Sequence, residues 1–149
     1  MVRISRLSDY GIQLLGAFAR QPGEALTSHQ VADAAAIPEP TVRKLLKVLS
    51  KAQLLVSRRG VQGGYRLARA PEQITVAEII TAVEGPIAMT ECNVPGGEAC
   101  DRSKDCRMKG TWHTVNQLIQ GTLSNLTLSQ MVAPPAPQPV AEPTSGGTP

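Results

Sequence analysis

The sequence predicts a mainly α-helical fold carrying one small β-hairpin, and three observations point that way. Apolar residues recur at helical spacing in several short stretches, two of which flank a tight proline-containing turn. Aromatic residues are 3% of the chain while apolar residues are 42%, and such a Leu, Ile, Val and Ala core suits small packed helices better than stacked sheets. Two short β-prone runs enclose Arg58-Arg59-Gly60-Val61-Gln62-Gly63-Gly64, a glycine-rich reversal.

Taken in order, the first helix is expected to start after Ser8 as its cap and to run through Tyr10, Ile12, Leu14, Leu15 and Phe18 to about Arg20. Gln21-Pro22-Gly23 stops it. Thr27-Ser28-His29-Gln30 reads as a capping box opening a short second helix through Val31 and Ala34 to about Ala36. Ile37-Pro38-Glu39-Pro40 is a break, because proline suits a helix entrance and not its interior. A third helix then runs from Thr41 to about Gln53, with Val42, Leu45, Leu46 and Leu49 on one face. Leu54–Ser57 and Tyr65–Leu67 are the hairpin strands. Two short helices across a tight turn, followed at once by a basic hairpin, form a winged helix-turn-helix.

Thr75-Val76-Ala77-Glu78 is a second capping box, and the helix it opens ends at Gly85-Pro86. Periodicity vanishes from Ile87 to about Lys109 and returns from about Thr111, where Val115, Leu118, Ile119, Thr122 and Leu126 make a stripe. That stripe suits pairing with a second copy of the chain or packing back on the first helix. The final stretch, rich in Pro, Gly, Ser and Thr, reads as a disordered tail, and no internal repeat is present.

The bulk numbers narrow the function. A chain of 149 residues holds one compact domain with an appendage. No apolar run approaches the roughly 20 residues of a membrane helix, and Met1–Arg6 lacks a signal-peptide pattern, so a cytoplasmic protein without membrane contact is expected. The net charge of +3 hides an asymmetry: eleven Lys or Arg against four Asp or Glu through Ala70, then four against eight. A basic half joined to an acidic half suggests that one end meets a polyanion. There is no C-x-x-C motif, no nucleophile beside a base and no phosphate loop, so nothing supports an enzyme.

The third helix carries Thr41, Arg43, Lys44 and Lys47 outward once its apolar stripe is fixed inward. Such a helix fits the major groove of double-stranded DNA, where Arg and Lys reach guanine edges and Thr reaches phosphate or a thymine methyl. Arg58 and Arg59 at the hairpin tip are placed to enter a minor groove or grip phosphates. The competing reading, that these cations only keep the helix soluble, is weakened by the order in which turn, basic helix and basic wing occur.

The chain has three cysteines, Cys92, Cys100 and Cys106, in a C-x7-C-x5-C pattern around Pro95, Gly96 and Gly97. An odd, clustered count argues against a disulfide framework. Soft thiolates select iron–sulfur clusters, zinc or copper, and the missing C-x2-C knuckle disfavours structural zinc. Inert or simple redox thiols remain open on this reading.

The opening Ile4–Tyr10, the turn Ile37–Thr41, the wing Arg59–Leu67 and Val83–Ile87 ahead of the cysteines together resemble the IscR and NsrR family of bacterial transcription regulators. The likeness covers about residues 1–131 and is strongest to its regulators of SUF iron–sulfur assembly, at Glu84–Cys92. The resemblance implies a homodimer joined by a long C-terminal dimerisation helix, with an iron–sulfur cluster (2Fe–2S or 4Fe–4S) held by Cys92, Cys100 and Cys106. Three segments follow: residues 1–70 for DNA binding, 71–131 for the cluster loop and dimerisation helices, and 132–149 for the tail.

In this family the fourth ligand is either a histidine three residues past the last cysteine or an aspartate near the N-terminus of the partner subunit. Lys109 occupies the first position and departs from that pattern, whereas Asp9 matches the second. A first-turn acid favoured by the helix dipole is the structural reading of Asp9. His113 and Glu91 are further candidates, and His29 is expected to have no metal role. The function implied is a regulator of iron–sulfur assembly genes that senses cluster status at a roughly palindromic operator. The alternative is a metal-free winged-helix repressor governed by a partner protein or by thiol oxidation.

Overall fold

The structure, a computed structural model, describes residues 3–96, 100–101 and 104–134. In order it contains α1 (Arg6–Ala19), α2 (Ser28–Ala35), α3 (Glu39–Lys51), β1 (Leu55–Arg58), β2 (Gly64–Leu67), a 3-10 turn (Pro71–Gln73), α4 (Val76–Glu84), a second 3-10 turn (Glu91–Asn93), α5 (Lys109–Asn125) and α6 (Leu128–Val132). The mainly helical fold with one small hairpin is as expected, and its first five elements form the winged helix-turn-helix. Among the described residues no helix is long and apolar enough to cross a membrane.

Local chemistry sets the ends of these elements. α1 begins earlier than expected because Ser5, not Ser8, is its cap and accepts from the Ser8 N–H at 3.1 Å. Ser8 lies inside the helix, fully buried, with its hydroxyl donated to Glu84. The Thr27 and Thr75 capping boxes form as the sequence predicts. α3 starts at Glu39 and not Thr41, because Pro38 caps it and Pro40 occupies its first turn, where no N–H is needed.

α2 and α3 end alike. Ala36 and Gln53 adopt left-handed backbone with φ of 54° and 61°, and the next N–H, of Ile37 or Leu54, bonds back to Ala32 or Leu49. This Schellman closure draws Ile37 and Leu54 into the core. It also moves the start of β1 one residue later than expected, to Leu55.

The hairpin pairs Leu55 with Leu67, Val56 with Arg66, Ser57 with Tyr65 and Arg58 with Gly64. Leu26 bridges to Tyr65 through two backbone hydrogen bonds, so the chain entering α2 borders β2. A Cβ at Gly64 would lie 2.6 Å from the Leu26 carbonyl oxygen, and its φ is +146°, so only glycine fits this approach.

The core gathers Leu14, Leu15 and Phe18 of α1, Val31 of α2, and Val42, Leu45, Leu46 and Leu49 of α3. Ile74, Ile79 and Leu128, from beyond residue 70, belong to the same cluster. α6 was not foreseen. It packs on α1 with α4, and Leu126 O and Leu128 N hydrogen-bond to the 74–76 backbone at 2.8 Å each. A Cβ at Gly16 would stand 3.0 Å from Val132, so a small residue lets the two helices approach. Val132, assigned by sequence to the tail, therefore ends α6; residues 135–149 lie outside the described residues.

α5 departs further from expectation. It packs against α4 and the 91–93 turn, while α6 and α4 take the place on α1. Of its expected stripe Val115 and Ile119 are half-buried, Leu118 is 67% exposed, Thr122 is exposed and Leu126 lies past the helix end. The buried residue is Asn116.

Candidate DNA-binding face and thiol segment

α3 turns Val42, Leu45, Leu46 and Leu49 inward and leaves Arg43, Lys44 and Lys47 exposed, with Thr41 half-buried at its third position. The four expected residues thus share the outer side of one helix, but Arg43 is not free. Its Nε and Nη2 both donate to Oε1 of Glu39, at 3.1 and 2.8 Å. Glu39 also accepts from the Ser28 hydroxyl at 3.2 Å and lies 3.6 Å from His29 Nδ1, both at the start of α2. The Arg43 hydrogen bond foremost, with those from Ser28 and His29, holds the Glu39 carboxyl below its ordinary range against the desolvation that opposes it. His29 Nε2 also lies 3.4 Å from Asp33, an exposed contact that is an ion pair only when the ring is protonated.

In the wing, Arg58 closes β1 and Arg59 follows it; both are exposed. Arg66, two residues after the partner of Arg58, shares its face of the hairpin and is also exposed. An open depression of about 470 Å³ lies between this face and the start of α2, lined by Thr27, Gln30, Arg58, Gln62 and Arg66 among others. Sequence reasoning overlooked Arg66 and Glu39. The period of two along β2 was a signal for the first, and the i, i+4 spacing of Glu39 and Arg43 for the second.

The thiol segment is built differently. Cys92 sits in the 91–93 turn, exposed, with its Sγ 3.1 Å from the Thr90 hydroxyl. Cys100 is half-buried and Cys106 exposed; all three are free thiols. Upstream, Met89 N donates to Oδ1 of buried Asn116 at 2.9 Å, and Gln120 Nε2 donates to the Ile87 carbonyl at 2.9 Å. The segment leading to Cys92 is therefore pinned to α5. At its other end Glu84, the last residue of α4, accepts from the hydroxyls of Ser5 and Ser8 on α1. Those two hydroxyls hold the Glu84 carboxyl below its ordinary range.

The expected fourth ligands are scattered. Asp9 lies in the first turn of α1 and accepts from Gln13 Nε2 at 2.8 Å. Lys109 opens α5, Glu91 opens the 91–93 turn, and His113 Nδ1 stands 3.3 Å from Asn93 Oδ1. Among the described residues, no three His, Cys, Asp or Glu side chains stand close enough to hold a metal ion. The donor set itself, three free thiols of which two are exposed, has the soft chemistry that an iron–sulfur cluster takes.

A helix-turn-helix with outer cations and a basic wing defines a winged-helix DNA-binding fold, the class of fold that transcription regulators carry. The chain belongs to the Rrf2 family, described as an iron-dependent transcriptional regulator, whose model matches residues 4–134. It is 30% identical over 132 residues to the HTH-type transcriptional regulator NsrR of Shouchella clausii, spanning 88% of this chain and 89% of that one. Its fold is similar to IscR of T. potens, with a TM-score of 0.67, 30% identity, and 88% and 86% of the two chains covered. CymR, the global cysteine regulator of B. subtilis, is also similar, with a TM-score of 0.71, 26% identity, and 89% and 97% covered. The expected membership of the IscR and NsrR family is thus borne out.

Proposed function

We propose that this regulator binds a roughly palindromic operator as a homodimer and senses iron–sulfur cluster status, controlling iron–sulfur assembly genes in the cytoplasm. Thr41, Arg43, Lys44 and Lys47 meet the major groove, and Arg58 and Arg59 the minor groove or phosphates. Cys92, Cys100 and Cys106 hold the cluster, with Asp9 of the partner subunit as fourth ligand; Glu91, Lys109 and His113 are the other candidates. When bound, a cluster supplies a thiolate-ligated iron centre that oxygen or nitric oxide can alter or remove.

The observation that carries the coupling is that the stretch leading into Cys92 is tied at two points. Asn116 and Gln120 fasten it to α5 on one side, and Glu84 with Ser5 and Ser8 fastens α4 to the helix-turn-helix on the other. A rearrangement around Cys92 therefore pulls on α1 through α4. In a dimer this shifts one recognition helix relative to the other. Because half-sites lie about one helical turn apart, roughly 34–36 Å, a small change in that spacing changes affinity. Leu118, Trp112 and Met108, exposed on and just before α5, support that helix as the contact between copies.

The test is a visible absorption spectrum with iron and sulfide analysis on anaerobically purified protein. Broad thiolate-to-iron bands with matching iron and sulfide, lost in C92A, C100A and C106A, are expected. A protein that stays colourless after anaerobic reconstitution overturns the cluster reading. The exposed, free Cys92 and Cys106 and the likeness to a global cysteine regulator favour one second reading, a metal-free repressor governed by a partner protein or by thiol oxidation. In that case thiol alkylation, and not chelation, abolishes regulation.

A further inference from the structure

We propose that Glu39 is a specificity-determining residue of the DNA-binding face, holding Arg43 toward a base edge and withholding it from the phosphate backbone. The inference rests on the assignment of α3 as the recognition helix. A free arginine on an exposed helix meets whichever phosphate is nearest, and a phosphate contact carries no sequence information. Arg43 is instead bound through Nε and Nη2 to one carboxylate oxygen. That uses two of its five N–H donors, and the pair on Nη1 with one on Nη2 remains. These are the donors that can face O6 and N7 of a guanine together.

An isolated i, i+4 ion pair on a helix surface is too weak to fix a side chain. Here the carboxylate is the fixed end. The Ser28 hydroxyl of α2 donates to the same Oε1 at 3.2 Å, and the His29 ring lies 3.6 Å from Oε2, where it adds an ion pair when protonated. The Glu39 side chain is 32% exposed and that of Arg43 68%, so the anchor sits low and the guanidinium stands out. Glu39 is also the first residue of α3, in the part of a recognition helix that meets base edges. A carboxylate there repels phosphate, so losing it costs discrimination and favours indiscriminate binding.

The experiment uses the full chain, an operator duplex selected by the wild type from a randomised pool, and a scrambled duplex. Affinities are measured by fluorescence anisotropy over a salt series for wild type, E39A, E39Q, R43A, E39A/R43A and K47A. In E39A, scrambled DNA is expected to bind tighter, and the operator-to-scrambled ratio to fall about tenfold. The slope of log affinity against log salt steepens by about 1 as Arg43 becomes a phosphate ligand. E39Q keeps an acceptor without the charge and falls between. In the R43A background the E39A change leaves the ratio unaltered.

The proposal is overturned if E39A tightens both duplexes equally, or if its effect on the ratio persists without Arg43. Glu39 then acts only as bulk negative charge. Should R43A and K47A leave both affinities unchanged, the recognition-helix assignment itself fails, and the proposal with it. A circular dichroism melt matching the wild type certifies each variant as folded.

Discussion

From Arg6 to Leu67 each helix buries an apolar stripe, and Leu14, Val31, Val42 and Leu49 are fully enclosed. From Gly85 to Asn125, among the described residues, Asn116 alone is buried, and it is polar. The first region is fixed by its own apolar surface, which is non-directional and large. The second is fixed by a few directional hydrogen bonds, Asn116 to Met89 and Gln120 to Ile87. Such a region can rearrange at small cost, as a sensing segment must, whereas a reading head has to keep its shape.

The largest expected effect tests the contrast directly. Leu45→Ala in the core lowers stability by about 2–5 kcal/mol in urea unfolding, through lost transfer energy and the cavity left. The triple change C92A/C100A/C106A shifts the metal-free protein by less than about 1 kcal/mol, as surface substitutions do. If the two losses are equal, the contrast is broken.

Asn116→Ala comes next. It leaves the Met89 N–H without its partner at a cost of about 1–3 kcal/mol, and deuterium uptake at Met89 rises while the α3 amides stay protected. Uptake rising equally in α3 means that the regions are not separable.

The tie between the regions has a pH signature. Hydrogen bonds from Ser5 and Ser8 depress the folded-state pKa of Glu84 below its ordinary value of 4.5. The stability this adds is present above pH 4.5 and is lost as pH falls through the depressed value. Ser8→Ala removes one donor without touching the Ser5 cap, so acid unfolding monitored below about pH 4.5 becomes less steep. An unchanged acid limb removes Glu84 from the coupling.

The smallest effect is a gain. Ala36 sits at φ 54°, where a side chain is strained, so Ala36→Gly raises the melting temperature by the equivalent of about 0.5–1 kcal/mol. A loss in its place means that the closure after α2 is not strained.

Most of the reading head is legible in the chain because its rules are local. Thr27 with Gln30 and Thr75 with Glu78 cap helices within one turn. The inward stripe of α3 dictates which cations face out, and the glycines around the wing permit its reversal. Even the errors at α1 and α3 are short slips, made where Ser5 and Ser8 compete as caps and where prolines permit an earlier start. The thiol segment is legible in chemistry but not in shape, since the cysteine spacing names the ligand type without fixing a backbone.

By itself, then, the sequence determined the mainly helical fold, the order of turn, basic helix and wing, and the soft-donor character of residues 92–106. Tertiary structure alone decided what meets what across long separations. Ser8 reaches Glu84 over 76 residues and Met89 reaches Asn116 over 27. α6, with five residues, has a Thr127–Gln130 capping box but is too short to hold itself together, and Leu128 entering the core completes it. In the sequence Glu39 stands one helical turn before Arg43, a spacing that suggests their pairing but not an anchored carboxylate. Only the packing of α2 against α3, which puts Ser28 and His29 on its carboxylate, makes it the anchor of Arg43.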